Sequence, residues 1–244
     1  MRVLHLILLR RVLGLSRIRA RTTTAPKAAR LSAQWPPAEP QPQVRNAFGS
    51  KAYWDAMYAD RGDLDGAEYA WFCGWAELAP FWDELVPSGG RVLVPGCGND
   101  PTLAAMYDAG HSDLTAFDYS AGAVGAQKAL LGPGRGGVVL ETADARDLPF
   151  GDGAFDAVLD KGTLDVLDMA GHLDAGVAEL RRVCAPGAIV VCCSRVVDRD
   201  VLLASFRDAA WEPLRDGSLA FTEDGSATID LGADLYAWRR RRGA

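Results

Sequence analysis

The sequence is poor in the residues that build metal centres and disulfide frameworks. Its 244 residues include only three histidines and five cysteines, and no two cysteines have Cys-x-x-Cys spacing. The odd number of cysteines argues against a disulfide framework and for reduced thiols. Because histidine is so scarce, we also expect no metal site.

Long apolar runs are missing as well. The N-terminal run from Val3 to Leu9 is far shorter than the about 20 residues that a membrane-spanning helix needs. The composition is otherwise ordinary, with 49% hydrophobic and 24% charged residues, which excludes a multispan membrane protein and a chain that is disordered throughout. We therefore expect a globular monomer without a membrane partner.

Acidic residues are almost absent from the first 45 residues. This segment holds nine basic residues and one acid, Glu39, a net charge of +8, whereas residues 46–244 hold 17 basic and 31 acidic residues, a net charge of −14. A body this acidic lacks the basic footprint that nucleic acid requires, so we expect no nucleic-acid partner. The run Arg239 to Arg242 is typical of a solvated chain end.

The Arg-rich, acid-poor leader is typical of an organelle transit peptide. Its mixed leucines and arginines favour a mitochondrial over a plastid address, and a disordered extension on a cytoplasmic protein is the alternative. We predict a transit peptide and linker over residues 1–45 and one folded domain over 46–244. Within that domain, the aromatic-rich residues 46–86 are predicted to form a helical lid segment.

Apolar strand-like runs alternate with helical stretches through the body. The runs cover residues 91–95, 114–117, 138–140, 154–159 and 188–193, and two longer ones, 212–221 and 227–238, flank an Asp-Gly turn. Alternation of this kind predicts a parallel sheet with helices on both faces. We therefore expect a doubly wound, Rossmann-like α/β fold whose seven-stranded sheet ends in an antiparallel C-terminal hairpin.

The strongest local signal is the glycine loop VLVPGCGND, in which the first predicted strand runs into Gly96 and Gly98. Glycines at such a position let the backbone approach a ligand closely. Asp118 follows 22 residues after Gly96, at the tip of the next strand, where its carboxylate can accept hydrogen bonds from two ribose hydroxyls. Together the two features predict a nucleoside-binding site.

The loop suits S-adenosylmethionine better than a dinucleotide. A dinucleotide site prefers a third glycine, but Gly98 is followed by Asn99, Asp100 and Pro101, and an acid near a helix start repels a pyrophosphate. S-adenosylmethionine carries no phosphate. Many methyltransferases have an acid two residues before the first glycine, where this chain has Val94, so the methionine ammonium must be recognised elsewhere.

Two later segments reach the same predicted edge of the sheet. Asp144 follows the third strand and can accept a hydrogen bond from an adenine amino group, although a turn residue is an equal alternative. The fourth strand delivers Asp160 and Lys161, for which a surface ion pair is the alternative.

These motifs resemble the class I, seven-stranded S-adenosylmethionine-dependent methyltransferases. The blocks AYWDAMY, EYAWF and DKGTLD are more narrowly similar to the branch that includes lysine methyltransferases of translation elongation factor 1-alpha. The resemblance covers residues 50–195. It implies S-adenosylmethionine as cofactor, a protein such as an elongation factor as substrate, and cofactor contacts from Trp54, Tyr58, Trp71, Gly96, Asp118, Tyr119, Asp144, Ala145 and Lys161. The glycine loop adds Gly98 to these candidate cofactor contacts.

The residue types agree with several of these implied roles. Aromatic faces attract a sulfonium cation, and Tyr119 can stack on adenine, although the tryptophans also suit a hydrophobic face packed on the sheet. We assign Asp160 as the candidate catalytic residue that orients the incoming amine or accepts its proton.

The chain departs from the lysine-methylating relatives on the substrate side. The connection MAGHLDA is short where those relatives carry an insertion, and Ala70 replaces an acid. A small-molecule methyltransferase of the same fold and a cofactor-binding scaffold without catalysis therefore stay open. A dehydrogenase is disfavoured by the missing third glycine.

Overall fold

Seven strands form one mixed sheet in the computed structural model, which describes residues 47–61, 70–223 and 227–243. The strands are β1 (Val92–Pro95), β2 (Leu114–Asp118), β3 (Val139–Thr142), β4 (Phe155–Lys161), β5 (Cys184–Ser194), β6 (Trp211–Glu223) and β7 (Ala227–Arg240). The predicted transit peptide and linker, the first two residues of EYAWF and the Asp-Gly turn lie outside the described residues.

The strand order is β3-β2-β1-β4-β5-β7-β6. Strands β1 to β5 pair in parallel, whereas β7 runs antiparallel to both β5 and β6. The predicted fold class is thereby confirmed. After β3 the chain crosses to the other side of β1 and continues at β4, so a topological switch point lies between the carboxyl ends of β1 and β4, where open α/β sheets bind their ligands.

Helices cover the sheet on both faces. They are α1 (Lys51–Ala56), α2 (Trp75–Leu85), α3 (Thr102–Asp108), α4 (Ala121–Leu131), α5 (Thr163–Met169), α6 (Leu173–Val183) and α7 (Arg199–Ser205), with a π-helical turn at Met57–Arg61 and a 3₁₀ turn at Pro133–Arg135. Helix α6 shows why such segments fold as they do. Its residues Leu173, Val177, Leu180 and Val183 recur at helical spacing and are all buried against the core.

Two details differ from the sequence prediction. Strand β5 begins four residues earlier than the apolar pattern indicates, because Cys184 pairs with Phe155 before the register shifts. Helix α7 was not predicted. It begins where the Asp198 carboxylate accepts hydrogen bonds from the backbone N–H groups of Asp200 and Val201.

Strands β1, β2, β4 and β5 are largely buried because each face of the sheet packs against a separate layer, whereas the edge strand β3 is mostly exposed. Leu93, Val158 and Val190 face the layer that contains α5 and α6. The alternate residues face the layer that contains α2 and α3, among them Val92, Val94, Leu159 and Val191. This double burial explains why these four strands are continuous apolar runs, and it holds their carboxyl ends together at one edge of the sheet.

All five cysteines are buried free thiols. Across the described parts of the chain, no helix combines the length and apolarity that crossing a bilayer requires.

Arg182 ties helix α6 to the connection between β3 and β4. Its guanidinium donates to the backbone carbonyls of Leu148 and Phe150 at 2.9 and 2.7 Å, and it forms ion pairs with Glu179 and Asp152. The preceding Arg181 makes one exposed ion pair, with Asp208.

We predict that Arg182→Ala lowers the free energy of unfolding by about 1–3 kcal/mol, because two carbonyls lose a charged donor. Arg181→Ala, the matched control one position earlier, should change it by less than about 1 kcal/mol. Urea unfolding of both variants measures the difference. Equal losses in the two variants would contradict the assigned role of Arg182.

Candidate functional site

The glycine loop follows β1 directly and turns sharply at the edge of the sheet. Gly96 and Gly98 both adopt a positive φ of 53°, which side chains disfavour. A Cβ atom on Gly96 would lie 2.2 Å from Oγ1 of Thr163, and one on Gly98 would lie 2.6 Å from the Tyr58 hydroxyl. Both glycines are therefore required by conformation and by space.

Asp118 locks the glycine loop to the end of β2. Its buried carboxylate accepts hydrogen bonds from the backbone N–H groups of Gly98 and Ser120, at 3.0 and 2.9 Å. Burial raises its pKa to about 6, while the two N–H donors act in the opposite direction. At neutral pH the carboxylate is therefore mostly ionised, and its remaining lone pairs can accept two more hydrogen bonds.

A cavity opens beside Asp118 at the predicted switch point. Its wall includes Gly96, Asp118, Tyr119, Asp144 and Ala145, all of which the sequence assigns to cofactor contact. Among these residues, Asp144 is held by Arg146, whose guanidinium donates hydrogen bonds to the Asp144 carboxylate. This contact keeps the pKa of Asp144 below its usual value.

Aromatic side chains roof the same cavity. It is lined by all three aromatic residues that were predicted to contact the cofactor, Trp54, Tyr58 and Trp71. Trp54 stacks on Tyr58 with ring centroids 6.1 Å apart and meets Trp71 edge-on at 6.0 Å. The indole N–H of Trp54 donates to the Phe48 carbonyl at 2.7 Å, which fixes the orientation of the ring.

The aromatic roof packs closely against a glycine of helix α4. A Cβ atom on Gly122, in α4, would lie 3.1 Å from Cβ and 3.2 Å from the carbonyl oxygen of Tyr58. The Tyr58 side chain is thereby pressed between α4 and the glycine loop, and burial raises the pKa of its hydroxyl.

Lys161 lines the cavity, and its ammonium is engaged by three partners. The Nζ atom donates to the Cys73 carbonyl at 2.6 Å and to Oγ1 of Thr102 at 3.1 Å, and it forms an ion pair with Asp100. The alternative of a surface ion pair between Asp160 and Lys161 is therefore wrong.

Asp160 lies behind the cavity wall. It is buried, and its carboxylate accepts from the backbone N–H of Leu164 and from the Cys192 thiol, both at 3.3 Å. These partners suit a group that holds the start of α5. A contact with a substrate would require this wall to open, so the catalytic assignment of Asp160 stays a sequence prediction.

Asp165 is a cavity residue to which the sequence gave no role. Its buried carboxylate accepts from the Ser194 hydroxyl and from the backbone N–H groups of Arg195 and Val197, which holds the chain after β5 against the cavity. The residue stands inside the DKGTLD block, but only the fold shows that it faces the chain after β5.

Further wall residues were also missed: Phe48, Lys51, Arg146, Thr163, Met169, His172 and Val196. Arg146 was detectable in principle, since it stands two residues after Asp144. The others come from elements far apart in the chain. Within residues 47–61, 70–223 and 227–243, no group of three or more His, Cys, Asp or Glu residues is arranged to hold a metal ion.

Comparison with known proteins agrees with this geometry. Residues 93–192 match the family model described as Methyltransferase domain. This part of the chain is a methyltransferase domain.

Two curated relatives extend the match. The domain and its flanks are 37% identical over 129 residues to EEF1A lysine methyltransferase 4 of Bos taurus, which covers 52% of this chain and 48% of that protein. They are 30% identical over 168 residues to the eEF1A lysine and N-terminal methyltransferase of Danio rerio, which covers 67% of this chain and 24% of that protein. The chain thus spans half or less of the length of these relatives.

A solved structure shows the same fold. The SAM-dependent methyltransferase structure from Methanosarcina mazei superposes with a TM-score of 0.55 at 15% identity, over 66% of this chain and 97% of that one. At this identity the likeness concerns the fold alone.

The family and the fold imply S-adenosylmethionine, and the residues of the methyltransferase domain fit it. The loop at Gly96 and Gly98 forms a cradle that any side chain would fill. Asp118 offers acceptors for a ribose, and the buried hydroxyl of Tyr119 beside it makes no hydrogen bond with the described residues.

We predict that Gly122→Val displaces the aromatic roof from helix α4, because the new side chain clashes with Tyr58. Gly125→Val, one turn along α4, is the matched control, since it places the same side chain in the same helix at a position with open space around the Cβ atom. Limited trypsin digestion, followed at the bond after Lys51 by mass spectrometry, should be several-fold faster in Gly122→Val alone. Equal cleavage rates in both variants would contradict the packing of Tyr58 on Gly122.

We predict that Asp160 makes the protein less stable as the pH rises. Burial raises its pKa to about 7, so between pH 5.5 and 8 the folded state loses a proton that the unfolded state has already lost. Asp160→Asn should therefore reduce the loss of unfolding free energy over this interval by about 1–2 kcal/mol. The exposed Asp156→Asn, on the same strand, should leave the pH dependence unchanged. If the unfolding free energy of Asp160→Asn depends on pH as that of the wild type does, Asp160 does not have the raised pKa assigned to it.

Proposed function

We propose that this chain binds S-adenosylmethionine and transfers its methyl group to a protein, with a lysine amino group as the acceptor. The observation that carries the cofactor part is the buried Asp118 carboxylate, fixed by Gly98 and Ser120 at the end of β2. The support for a lysine acceptor is the similarity to relatives that are named as eEF1A lysine methyltransferases.

Each end of the nucleoside has a matching group in this proposal. Asp118 accepts from the ribose hydroxyls, and Tyr119 lies against the adenine. Asp144 and Ala145 border the adenine edge, with Arg146 holding the Asp144 carboxylate in place. The Lys51 ammonium, 5.7 Å from the centre of the Tyr119 ring, fixes that ring from the outer side.

When bound, S-adenosylmethionine supplies an electrophilic methyl group on a positively charged sulfur. The chain contributes an environment that favours this charge and keeps water away. Trp54, Tyr58 and Trp71 present aromatic rings to the cavity, and each such face contributes about 0.5–2 kcal/mol to holding a desolvated cation.

A lysine acceptor must arrive without its proton. The apolar wall around the roof, which includes Phe48, Val166 and Met169, removes water from an entering amine, and desolvation lowers the pKa of an ammonium group. Rigid walls also fix the approach of the slender lysine chain, which supplies much of the rate acceleration in a two-reactant step.

The charge of the domain favours a basic protein partner. Residues 46–244 carry a net charge of −14, which attracts a positively charged target at long range. A translation elongation factor, the target class named for the relatives, is therefore the partner that we propose. The Arg-rich leader supports a mitochondrial location for this encounter.

We predict that Asp118→Ala weakens the binding of S-adenosylhomocysteine at least about 100-fold, because two charge-assisted hydrogen bonds to the ribose are lost. Asp113→Ala, at the opposite end of β2, is the matched control and should bind as the wild type does. Isothermal titration calorimetry of both variants measures the effect. Wild-type affinity in Asp118→Ala would overturn the cofactor site.

The acceptor is tested with S-adenosylmethionine labelled in the methyl group. The wild type and Asp118→Ala are incubated with cytosolic and mitochondrial extracts and with purified elongation factor 1-alpha, and protein hydrolysates are analysed for methylated lysine. We expect Asp118-dependent label in methyllysine. Label found only in small molecules would contradict a protein acceptor and favour a small-molecule methyltransferase. Tight cofactor binding without any labelled product would favour a scaffold without catalysis.

A further inference from the structure

A groove lined by arginines lies at the end of the sheet opposite to the cofactor cavity. Its wall includes all four residues of the run Arg239 to Arg242, together with Leu85, Pro87, Gly187, Ile189 and Glu212. The groove is near the amino ends of the parallel strands, whereas the cofactor cavity is at their carboxyl ends. The two share none of their described wall residues, so this arginine groove is a separate surface.

The backbone of the arginine run is fixed by the sheet. Arg239 pairs with Ile189 of β5, and the N–H of Arg241 donates to the Ala210 carbonyl at 2.7 Å. The sequence predicts a solvated chain end here, whereas the structure gives the run a defined position. Side chains that start from a fixed backbone lose less conformational freedom when they bind a partner.

Two of the four guanidinium groups are anchored to the protein as well. Arg240 donates to the Cys184 carbonyl, and Nε of Arg241 donates to the Trp211 carbonyl at 3.3 Å. Because a guanidinium carries five N–H donors in a rigid fork, one such bond engages only a small part of each group. The run therefore presents a preformed set of cationic donors.

The other two arginines are exposed and border the groove on β5 and β6. Arg242 lies across Gly187, where a Cβ atom would come within 3.2 Å of its Nε atom. Arg239 pairs with Glu212 at 3.3 Å, but with 45% and 42% of the two side chains exposed, water competes for this pair. Since Glu212 is the one acid among the described wall residues, the wall carries a formal charge of +3.

The charge of the rest of the domain limits what can occupy the groove. Without these four arginines, residues 46–244 hold 13 basic and 31 acidic residues, a net charge of −18. A nucleic acid or an anionic membrane would extend past the groove and be repelled by this charge, which acts over a Debye length of about 8 Å in physiological salt. The arginine groove therefore suits a short anionic segment.

Apolar side chains complete the wall and favour a peptide over a phosphate group. Leu85, Pro87 and Ile189 contribute this part of the surface. A phosphate gains nothing by covering it, whereas a peptide can bury apolar side chains there. Guanidinium groups also form paired hydrogen bonds with carboxylates. A wall that is both cationic and apolar matches a segment in which acidic and apolar residues are mixed.

We propose that the arginine groove binds a short acidic segment of a partner protein. The carboxylates of the segment accept hydrogen bonds from Arg239, Arg241 and Arg242, and its apolar side chains cover Leu85 and Pro87. This surface adds a protein contact to the proposed function and does not depend on methyl transfer.

Fluorescence anisotropy with labelled peptides tests the proposal. The acidic probe is Gly-Glu-Leu-Asp-Glu-Leu-Glu-Gly, and its neutral counterpart carries Gln and Asn in place of Glu and Asp. We expect the wild type to bind the acidic probe at least about 10-fold more tightly, with an affinity that falls as salt rises from about 50 to about 300 mM. Serine in place of both leucines should weaken it at least about 3-fold.

Arg239→Gln/Arg242→Gln should weaken the acidic probe at least about 10-fold, because two guanidinium groups are lost. Lys128→Gln/Arg199→Gln is the matched control, since it removes the same formal charge from exposed side chains on α4 and α7, and its effect should stay below about 3-fold. Near-UV circular dichroism checks that both variants are folded.

Glu212→Gln should act in the opposite direction. It removes the one acid from the described wall, so the acidic probe should bind at least about 2-fold more tightly. A groove whose arginines only stabilise the hairpin would show no such gain.

Absence of binding by the acidic probe, or equal weakening in the two double variants, would overturn the proposal. Tighter binding of a labelled oligothymidylate or of phosphatidylserine vesicles would replace the acidic segment by a nucleic acid or a membrane. A dimer in sedimentation velocity that Arg239→Gln/Arg242→Gln dissociates would make a second copy of this chain the occupant and would also contradict the proposal.

Discussion

The hydrogen bond from the Gly98 N–H to the Asp118 carboxylate is the interaction on which the site depends. It joins the loop after β1 to the end of β2 and fixes a buried acceptor at the switch point of the sheet. The loop can close this way only because Gly96 and Gly98 tolerate a positive φ and leave space for Thr163 and Tyr58. The aromatic roof and the cavity beside Asp118 are built around this join.

Most of the fold was predictable from local patterns. The buried parallel strands β1, β2, β4 and β5 are continuous apolar runs, so they could be inferred from residues 91–193. The exposed edge strand β3 was indicated only by the short apolar run 138–140, and an Asp-Gly pair predicted the final hairpin. The glycine loop and Asp118 were predictable because their function depends on conformation and spacing within a single β-α-β unit. Helix α7 was missed because its seven residues after the cap Asp198 show no clear helical spacing of buried apolar side chains.

Long-range pairing of charged groups was not predictable. Asp160 and Lys161 are neighbours in sequence, but the strand points them to opposite sides, so one is buried behind the wall and the other reaches Asp100 across the loop. The role of Asp165 depends on residues 194–197, about thirty positions later. Similarly, Gly122 gains its importance only when Tyr58 packs on it. Such contacts arise from tertiary packing, which a sequence pattern does not encode.

A crystal structure of the protein grown with S-adenosylhomocysteine tests the central claim most directly. We expect the ribose hydroxyls within hydrogen-bonding distance of the Asp118 carboxylate and the adenine against Tyr119, beneath the roof of Trp54, Tyr58 and Trp71. A nucleoside bound at another face of the sheet, with Asp118 contacting only Gly98 and Ser120, would contradict it.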